Sequence, residues 1–362
     1  MPESSVVVRP QSKDSGYYSA GSRLQAAGLR PAIALFEQAA TVVPLPKAPQ
    51  PIAIADYGAA TAHNSLLPIG AAIAVLRTRT AREHSVLVAH TDVPENDFTA
   101  MFRTLTDDPD SYLRKDAAAF ASAVGRSFYS QILPSNSITL GWSSYAVQWL
   151  SWVPTPVPDH LQVAYTADES VRTAYARQAA HDWHEFIAFR GRELCPGGRL
   201  VVMTMGIGED GEYGYRPLLA AMIDALAELV GAGLLREDEL RRMTIPTVGR
   251  RAVDFMAPFA PSGRFERLEI EHLDVFDGED RFFDQYRIDK DATAFGRNWA
   301  QFARASVFPT MVGALDGGRD DPRAAQFVDR LDKGIATRMA ADPQGTQIPL
   351  AHLVLHKRPK IR

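Results

Sequence analysis

Residues 52–65 read IAIADYGAATAHNS, an apolar run that ends in an acid and passes into a turn of small residues. A buried strand closing on Asp-x-Gly and feeding a helix leaves free backbone N–H groups, and a residue without bulk, where a cofactor can approach closely. Asp56 and Gly58 supply that element. The dinucleotide fingerprint GxGxxG is missing, because Ala60 and His63 stand at its glycine positions, and no cradle for a pyrophosphate is evident. NAD and FAD are therefore disfavoured. S-Adenosylmethionine has no phosphate to hold, so a shorter, glycine-poor turn suffices for it. A second apolar run ends in HTDVPENDF, where Asp92 is placed to accept hydrogen bonds from ribose hydroxyls. Each acid alone is equally readable as a strand-end turn former; the pair favours a cofactor site.

Outward from that stretch, β-rich runs PIAIADYG, SVLVAHTD, SITLGWS and GRLVVMTMG alternate with stretches long enough for helices, the pattern of a parallel sheet. In the long interval between the second and third runs, RSFYSQIL leaves room for an extra strand. The segment SSYAVQWLSWV reads as a helix, and ESVRTAYARQAAHDWHEFIAFRGREL as a long amphipathic helix closed by Pro196-Gly197-Gly198. Leu24, Leu29, Ile33 and Phe36 recur at helical spacing before the breaker PLPKAPQP. After Gly206 the pattern is helical to about residue 250, FERLEIEHLDVF returns to a strand, and IPLAHLVLHKRP closes as one. The fold class expected is α/β, a Rossmann-like sheet with a mostly helical cap, although a count of two full domains also suits 362 residues. The boundaries expected are an N-terminal segment and helix over 1–49, a donor-binding core over 50–206, a helical cap over 207–262, a core strand and loop over 263–290, cap helices over 291–341 and a C-terminal core strand over 342–362.

Composition narrows the function. With 46% hydrophobic and 23% charged residues the chain can bury a sizeable core, and a net charge of −4 without a Lys/Arg tract disfavours nucleic acid and anionic lipid as partners. No apolar segment is long enough to cross a bilayer and no secretory h-region opens the chain, so the cytoplasm is the expected location. The single cysteine, Cys195, excludes an internal disulfide and reads as a small buried hydrophobe. His181 and His184 in HDWHE are three apart and lack the HExxH pattern, which reads as a solvated helix face.

Several motifs together carry a resemblance. The chain holds YSAGSRLQ near its start, IADYGAATAHNSL, TDVPENDF, GRSFY and SSYAVQWLSWVP, followed by GGRLVV and FARASVFPTMVGAL. In this order they resemble the SABATH carboxyl and N-methyltransferases over nearly the whole chain. That resemblance implies a Rossmann-like sheet of the class I methyltransferase kind and S-adenosylmethionine as cofactor. It places Ser22 and Gln25 near donor and acceptor, Asp56, Gly58 and Asn64 at the donor's methionine end, and Asp92 at the ribose with Val93 beside the adenine; Tyr17 and Tyr18 would order the entry segment over the cofactor, a frayed N-terminus with no role being the alternative. Ser127 and Phe128 are similar to a pair packing around adenosine, and Ser144 and Tyr145 to residues near the sulfonium. Ala59 and His63 depart from the family's Cys and Pro, and VDFM (253–256) lacks the oxygen ligands of a family metal motif, so no bound metal is expected. The resemblance also implies a homodimer.

On a helix, Tyr145, Gln148, Trp149 and Trp152 share one face, which periodicity alone assigns to core and the resemblance assigns to the acceptor pocket. Gln25, Tyr145, Gln148 and Trp149 would then meet the acceptor, with Leu219, Phe259, Ala303 and Ser306 along the pocket wall by alignment. Gln25 and Trp149 would orient the acceptor without a general base. The cap segments LLAAMIDAL and DFMAPF suit either an apolar pocket or the cap's own core. The function expected is O-methylation of a small apolar carboxylic acid, fatty or aromatic. N-Methylation of a heterocycle and donor binding without turnover are the alternatives. The Ala/Arg-rich composition looks bacterial, which suits a lipid or an aromatic catabolite better than a plant hormone.

Overall fold

The computed structural model describes residues 18–359, with side chains from residue 29 onward. Seven strands form one sheet in the order β3-β2-β1-β4-β5-β7-β6. They are β1 (Ile52–Tyr57), β2 (Val86–Asp92), β3 (Ala119–Gly125), β4 (Ile138–Ser144), β5 (Leu194–Met205), β6 (Leu268–Asp277) and β7 (Pro349–Lys357). The first five run parallel, and β7 lies antiparallel between β5 and β6. From β1 the chain builds outward through β2 to β3, then returns to place β4 on the other side of β1. That reversal opens a crevice at the carboxyl ends of β1 and β4.

Both faces of the sheet are covered, which explains why the strand runs are nearly continuous in apolar residues. Helices α1 (Tyr18–Val42) and α2 (His63–Arg77) bury Phe36, Ile69 and Ile73 with Ile52, Ile54 and Trp142 of the sheet. On the opposite face, Ala55 and Tyr57 of the same strand join a core with Trp183, Phe186 and Ile187 of a long helix, Glu169–Glu193. Between these elements lie α3 (Phe98–Asp107) and the short α4 (Tyr112–Lys115), so the long helix is α5. The cap comprises α6 (Arg216–Gly231), α7 (Glu237–Arg242), α9 (Arg281–Asp289), α10 (Ala292–Ser306), α11 (Phe308–Val312) and α12 (Ala324–Ala341), whereas α8 (Ala252–Met256) packs Phe255 into the sheet core beside α5. Its core holds Leu226, Trp299, Phe327 and Leu331, and runs into the sheet through Met205 and Leu350 at the strand ends. Helices α10 and α12 touch at Gly296, where a Cβ would stand 2.2 Å from the Ala336 carbonyl oxygen. Among the described residues no helix is long and apolar enough to cross a membrane.

The structure corrects the sequence-based expectations in four places. The extra strand is AFASAVG (119–125), and RSFYSQIL is a loop; at the sheet edge β3 pairs with β2 alone, so its small residues carry little strand signal. Residues 145–153 are not helical. Ser143 and Ser144 still pair with Val202 and Met203, Tyr145 turns with a φ of 52°, and the backbone bonds next to residues 246–248. Pro196, Gly197 and Gly198 lie inside β5, where a register shift against β4 between Ile138 and Leu140 absorbs them. Finally, residues 281–289 form helix α9, which Asp280 caps by accepting from the Phe283 N–H at 3.0 Å.

Candidate active site

A cavity of about 270 Å³ opens at the carboxyl ends of β1, β2 and β4 and continues beneath the cap. Its sheet end is built by the turn after β1. Gly58, with φ at 83°, and Ala59 both donate to the Thr91 carbonyl, at 2.9 and 3.0 Å. The Ala60 N–H donates to Asp92 Oδ2 at 2.7 Å, and the Val93 N–H to Oδ1 at 2.8 Å. Asn96 closes the turn by donating to the Ala60 carbonyl at 2.8 Å. The surrounding protein desolvates the Asp92 carboxyl and, against those two N–H groups, raises it to about 6. A side chain at Gly58 would collide with Ala146 and crowd Phe128, so the glycine is required by contact as well as by φ.

Phe128 and its neighbour Ser127 sit on a loop that buried charges of α5 hold. Arg190 donates to the carbonyls of Phe128 (2.7 Å) and Ser130 (2.9 Å) and pairs with Glu193. Glu193 in turn accepts from the Ile132 and Leu133 N–H groups at 2.7 and 2.9 Å and from the Tyr57 hydroxyl at 2.8 Å. Every member of this buried set has a partner, the condition under which it rigidifies a loop.

The cap end of the cavity begins with Tyr145, Gln148 and Trp149, on the irregular segment after β4. That segment is held in the same manner. Arg250 donates to the Val147 carbonyl at 2.7 Å, Tyr129 donates to the Trp149 carbonyl at 2.6 Å, and Asp182 of α5 accepts from the Ser151 N–H and hydroxyl at 2.8 and 2.6 Å. Gln148 Oε1 accepts from the Met205 N–H at 3.2 Å, which turns the amide so that Nε2 has no partner among the described residues. The Trp149 indole N–H has none there either. Beyond them the wall is apolar, with Met205, Leu218, Leu219, Met222, Ile245, Phe302, Ile348 and Leu350. No lysine, arginine, histidine or cysteine lines the cavity among the described residues; its charged groups are Asp92 and, at an exposed edge, Glu279. Such a site can align reactants and exclude water, and it offers neutral donors.

Of the residues singled out from sequence, Gly58, Asn64, Asp92, Val93, Ser127, Phe128, Ser144, Tyr145, Gln148, Trp149, Leu219 and Ser306 share this one cavity. Tyr18, Ser22 and Gln25 fall on α1, and their side chains lie outside the described residues, as does Tyr17. Four placements are corrected. Asp56 is buried below the cavity, its carboxylate 2.7 Å from His90 Nδ1, with His90 Nε2 2.9 Å from the Tyr112 hydroxyl. Phe259 packs with Trp183 and Phe255 in the core under α5. Ala303 faces the cap core with Trp299 and Ala300, whereas Phe302, Ala305 and Ser306 present the adjoining face of α10 to the cavity. Trp152, expected on the acceptor face, is 47% exposed. Gln162, Tyr213 and Thr247 line the cavity from three separate segments, and no local motif marks them. Met205 was findable, since it ends a strand beside β4.

The sheet end suits an adenosyl sulfonium. It offers a carboxylate for a ribose diol, an aromatic ring and small residues for a flat base, an amide at Asn64 and, among the described residues, no cation to repel a positive sulfur. His181 and His184 are exposed on α5, and the described residues hold no group of three or more His, Cys, Asp or Glu side chains suited to a metal. Burial pushes the Cys195 thiol up, as suits a packing residue.

Comparison with known proteins agrees with this geometry. Residues 5–343 match the model of a family described as SAM dependent carboxyl methyltransferase. The chain is 30% identical to salicylate carboxymethyltransferase of Clarkia breweri, over 62% of this chain and 64% of that enzyme's length. It is 29% identical to gibberellic acid methyltransferase 1 of Arabidopsis thaliana over 80% of each. A solved loganic acid methyltransferase with SAH shares the fold, with a TM-score of 0.72 at 22% identity over 97% of this chain and 99% of that one.

Proposed function

The chain belongs to the SAM dependent carboxyl methyltransferase family, and on that premise we propose that it methylates the carboxylate of a small apolar acid, fatty or aromatic. One observation carries the proposal. A single cavity joins a carboxylate-bearing sheet end to an apolar end whose first polar groups are two neutral donors without a partner among the described residues, Gln148 Nε2 and the Trp149 indole N–H.

S-Adenosylmethionine, when bound, supplies an electrophilic methyl group on a positive sulfur. Asp92, Val93, Asn64, Ser127 and Phe128 would hold it, with Gly58 keeping the turn flush against it. Gln148 and Trp149 orient the acceptor carboxylate through its oxygens. A carboxylic acid is already ionised at neutral pH, so no residue of the chain has a proton to remove. Methylation erases the carboxylate's charge, and an Arg or Lys clamp would hold the reactant more tightly than the transition state. The neutral lining avoids that penalty. The apolar walls exclude water, and alignment of this kind is worth about 7–11 kcal/mol in the best intramolecular models.

A labelled-methyl assay over fatty, aromatic and heterocyclic acceptors tests the reading. A base-labile methyl ester from an apolar acid is expected. A base-stable product would point instead to a ring nitrogen, and tight donor binding with no turnover across the panel to a binding protein.

A further inference from the structure

Gln162, Tyr213 and Thr247 form a closed polar triangle in the otherwise apolar wall. All are buried, at 1%, 4% and 4% exposure. Gln162 Nε2 donates to the Tyr213 hydroxyl at 2.7 Å and to Thr247 Oγ1 at 3.1 Å, and the two hydroxyls are 2.7 Å apart. The amide orientation is fixed from its other side, where Oε1 accepts from the Ala164 N–H at 3.3 Å.

The protons of this triangle do not balance. The two amide hydrogens occupy both hydroxyl oxygens, and one hydroxyl hydrogen bridges Tyr213 and Thr247. The second hydroxyl hydrogen is left over. Its best acceptor among the described residues is the thioether of Met205, 3.5 Å from the Tyr213 oxygen, and a thioether accepts weakly. Burial raises the Tyr213 phenol, so it does not shed the proton. A buried O–H with a poor acceptor, facing a ligand cavity, is satisfied by an oxygen that the ligand brings.

We propose that Gln162, Tyr213 and Thr247 form a specificity subsite that donates one hydrogen bond to a second oxygen of the acceptor, so that the preferred substrates are oxygenated apolar acids carrying a keto, hydroxyl or ether group. The inference rests on the carboxyl-methylation reading above. Its position constrains the substrate further. Thr247 lies directly across an isolated antiparallel bridge from Trp149, so the subsite flanks the residues that meet the carboxylate, and the second oxygen sits within a few carbons of the carboxyl.

The test uses the full chain with S-adenosylmethionine and matched pairs of acids, each an unsubstituted fatty or aromatic acid beside the same skeleton with one oxygen function near the carboxyl. Wild-type kcat/KM is expected to favour the oxygenated member of at least one pair by about tenfold. In Tyr213→Phe and Thr247→Val that ratio falls toward one. Because the ratio is read within each variant, loss of folded protein cancels. A flat ratio in a wild-type enzyme that does form esters overturns the subsite. So does an equal loss on both members of a pair, which would assign the triangle to the carboxyl itself. Absence of ester from every acid removes the carboxyl reading and the subsite together.

Discussion

The two ends of the cavity are built in opposite ways. The sheet end takes its residues from the ends of adjacent parallel strands and the turns that follow them, so position in the sheet dictates position in the site. At the cap end, residues from 145 to 350 converge from several loops, the two cap helices α6 and α10, and two strand termini. Yet both ends depend on buried charge. Arg190 and Glu193 hold the loop of Ser127 and Phe128, and Asp182 with Arg250 holds the segment of Gln148 and Trp149. Three of those four residues lie on α5, no residue of which lines the cavity. An irregular loop can carry precise donors when its carbonyls are tied to a rigid helix beneath it.

The largest effects are therefore expected from breaking the ties. Arg190→Met leaves Glu193 buried without its cation and should lower stability by about 3–5 kcal/mol, with donor affinity lost in whatever protein folds. Arg250→Met strands the carbonyls of Val147 and Ala179 and should lower stability by about 1–3 kcal/mol for each. In that variant acceptor turnover should fall while the donor dissociation constant holds. Thermal unfolding and donor calorimetry on both proteins decide it: if the two variants lose donor affinity alike, the ends are not separately held.

Gly58 lies where the ends meet. Gly58→Ala puts a Cβ 2.3 Å from the Ala146 Cβ at a φ of 83°, and should lower stability by about 1–3 kcal/mol. Because Ala146 precedes Gln148 closely, this variant should harm donor binding and acceptor turnover together. Loss of one function alone would show the junction to be looser than its packing implies.

The same contrast explains what was legible in the sequence. Strands β1, β2, β4, β5 and β7 were readable because burial on both faces makes them apolar runs, the edge strand β6 because its apolar and polar residues alternate, and Asp92 because a strand end is a defined place. Residues 145–153 were misread since Tyr145, Gln148 and Trp149 repeat at helical spacing. What decides their conformation is Arg250 and the backbone of residues 246–248, about a hundred positions away. Ala303 was misplaced by a single step around α10, an error that alignment without a face assignment cannot detect. Gln162, Tyr213 and Thr247 had no signal, for their meaning lies in a triangle closed only on folding.

A narrower change separates the ends by chemistry. Trp149→Phe keeps a ring in place and removes the indole N–H, so kcat/KM for the acid should fall about tenfold with donor affinity unchanged. Unchanged acceptor kinetics would remove Trp149 from the orienting pair.

An effect of the same size belongs to Asp92 and is a matter of pH. Its carboxyl titrates near 6 in the folded protein because burial opposes its charge. With a folded value above the ordinary one, the stability linked to this group is present below about pH 4 and is lost as pH rises through about 6. Donor binding runs the other way, since an ionised carboxylate accepts ribose hydroxyls more strongly than a neutral acid. Donor affinity should therefore weaken by about tenfold between pH 7 and pH 5, over a range in which the apo-protein gains stability. Asp92→Asn should bind the donor more weakly at pH 7 and abolish both slopes. Calorimetry and thermal unfolding across that range measure the two together, and a slope that survives in Asp92→Asn would assign the titration to another group.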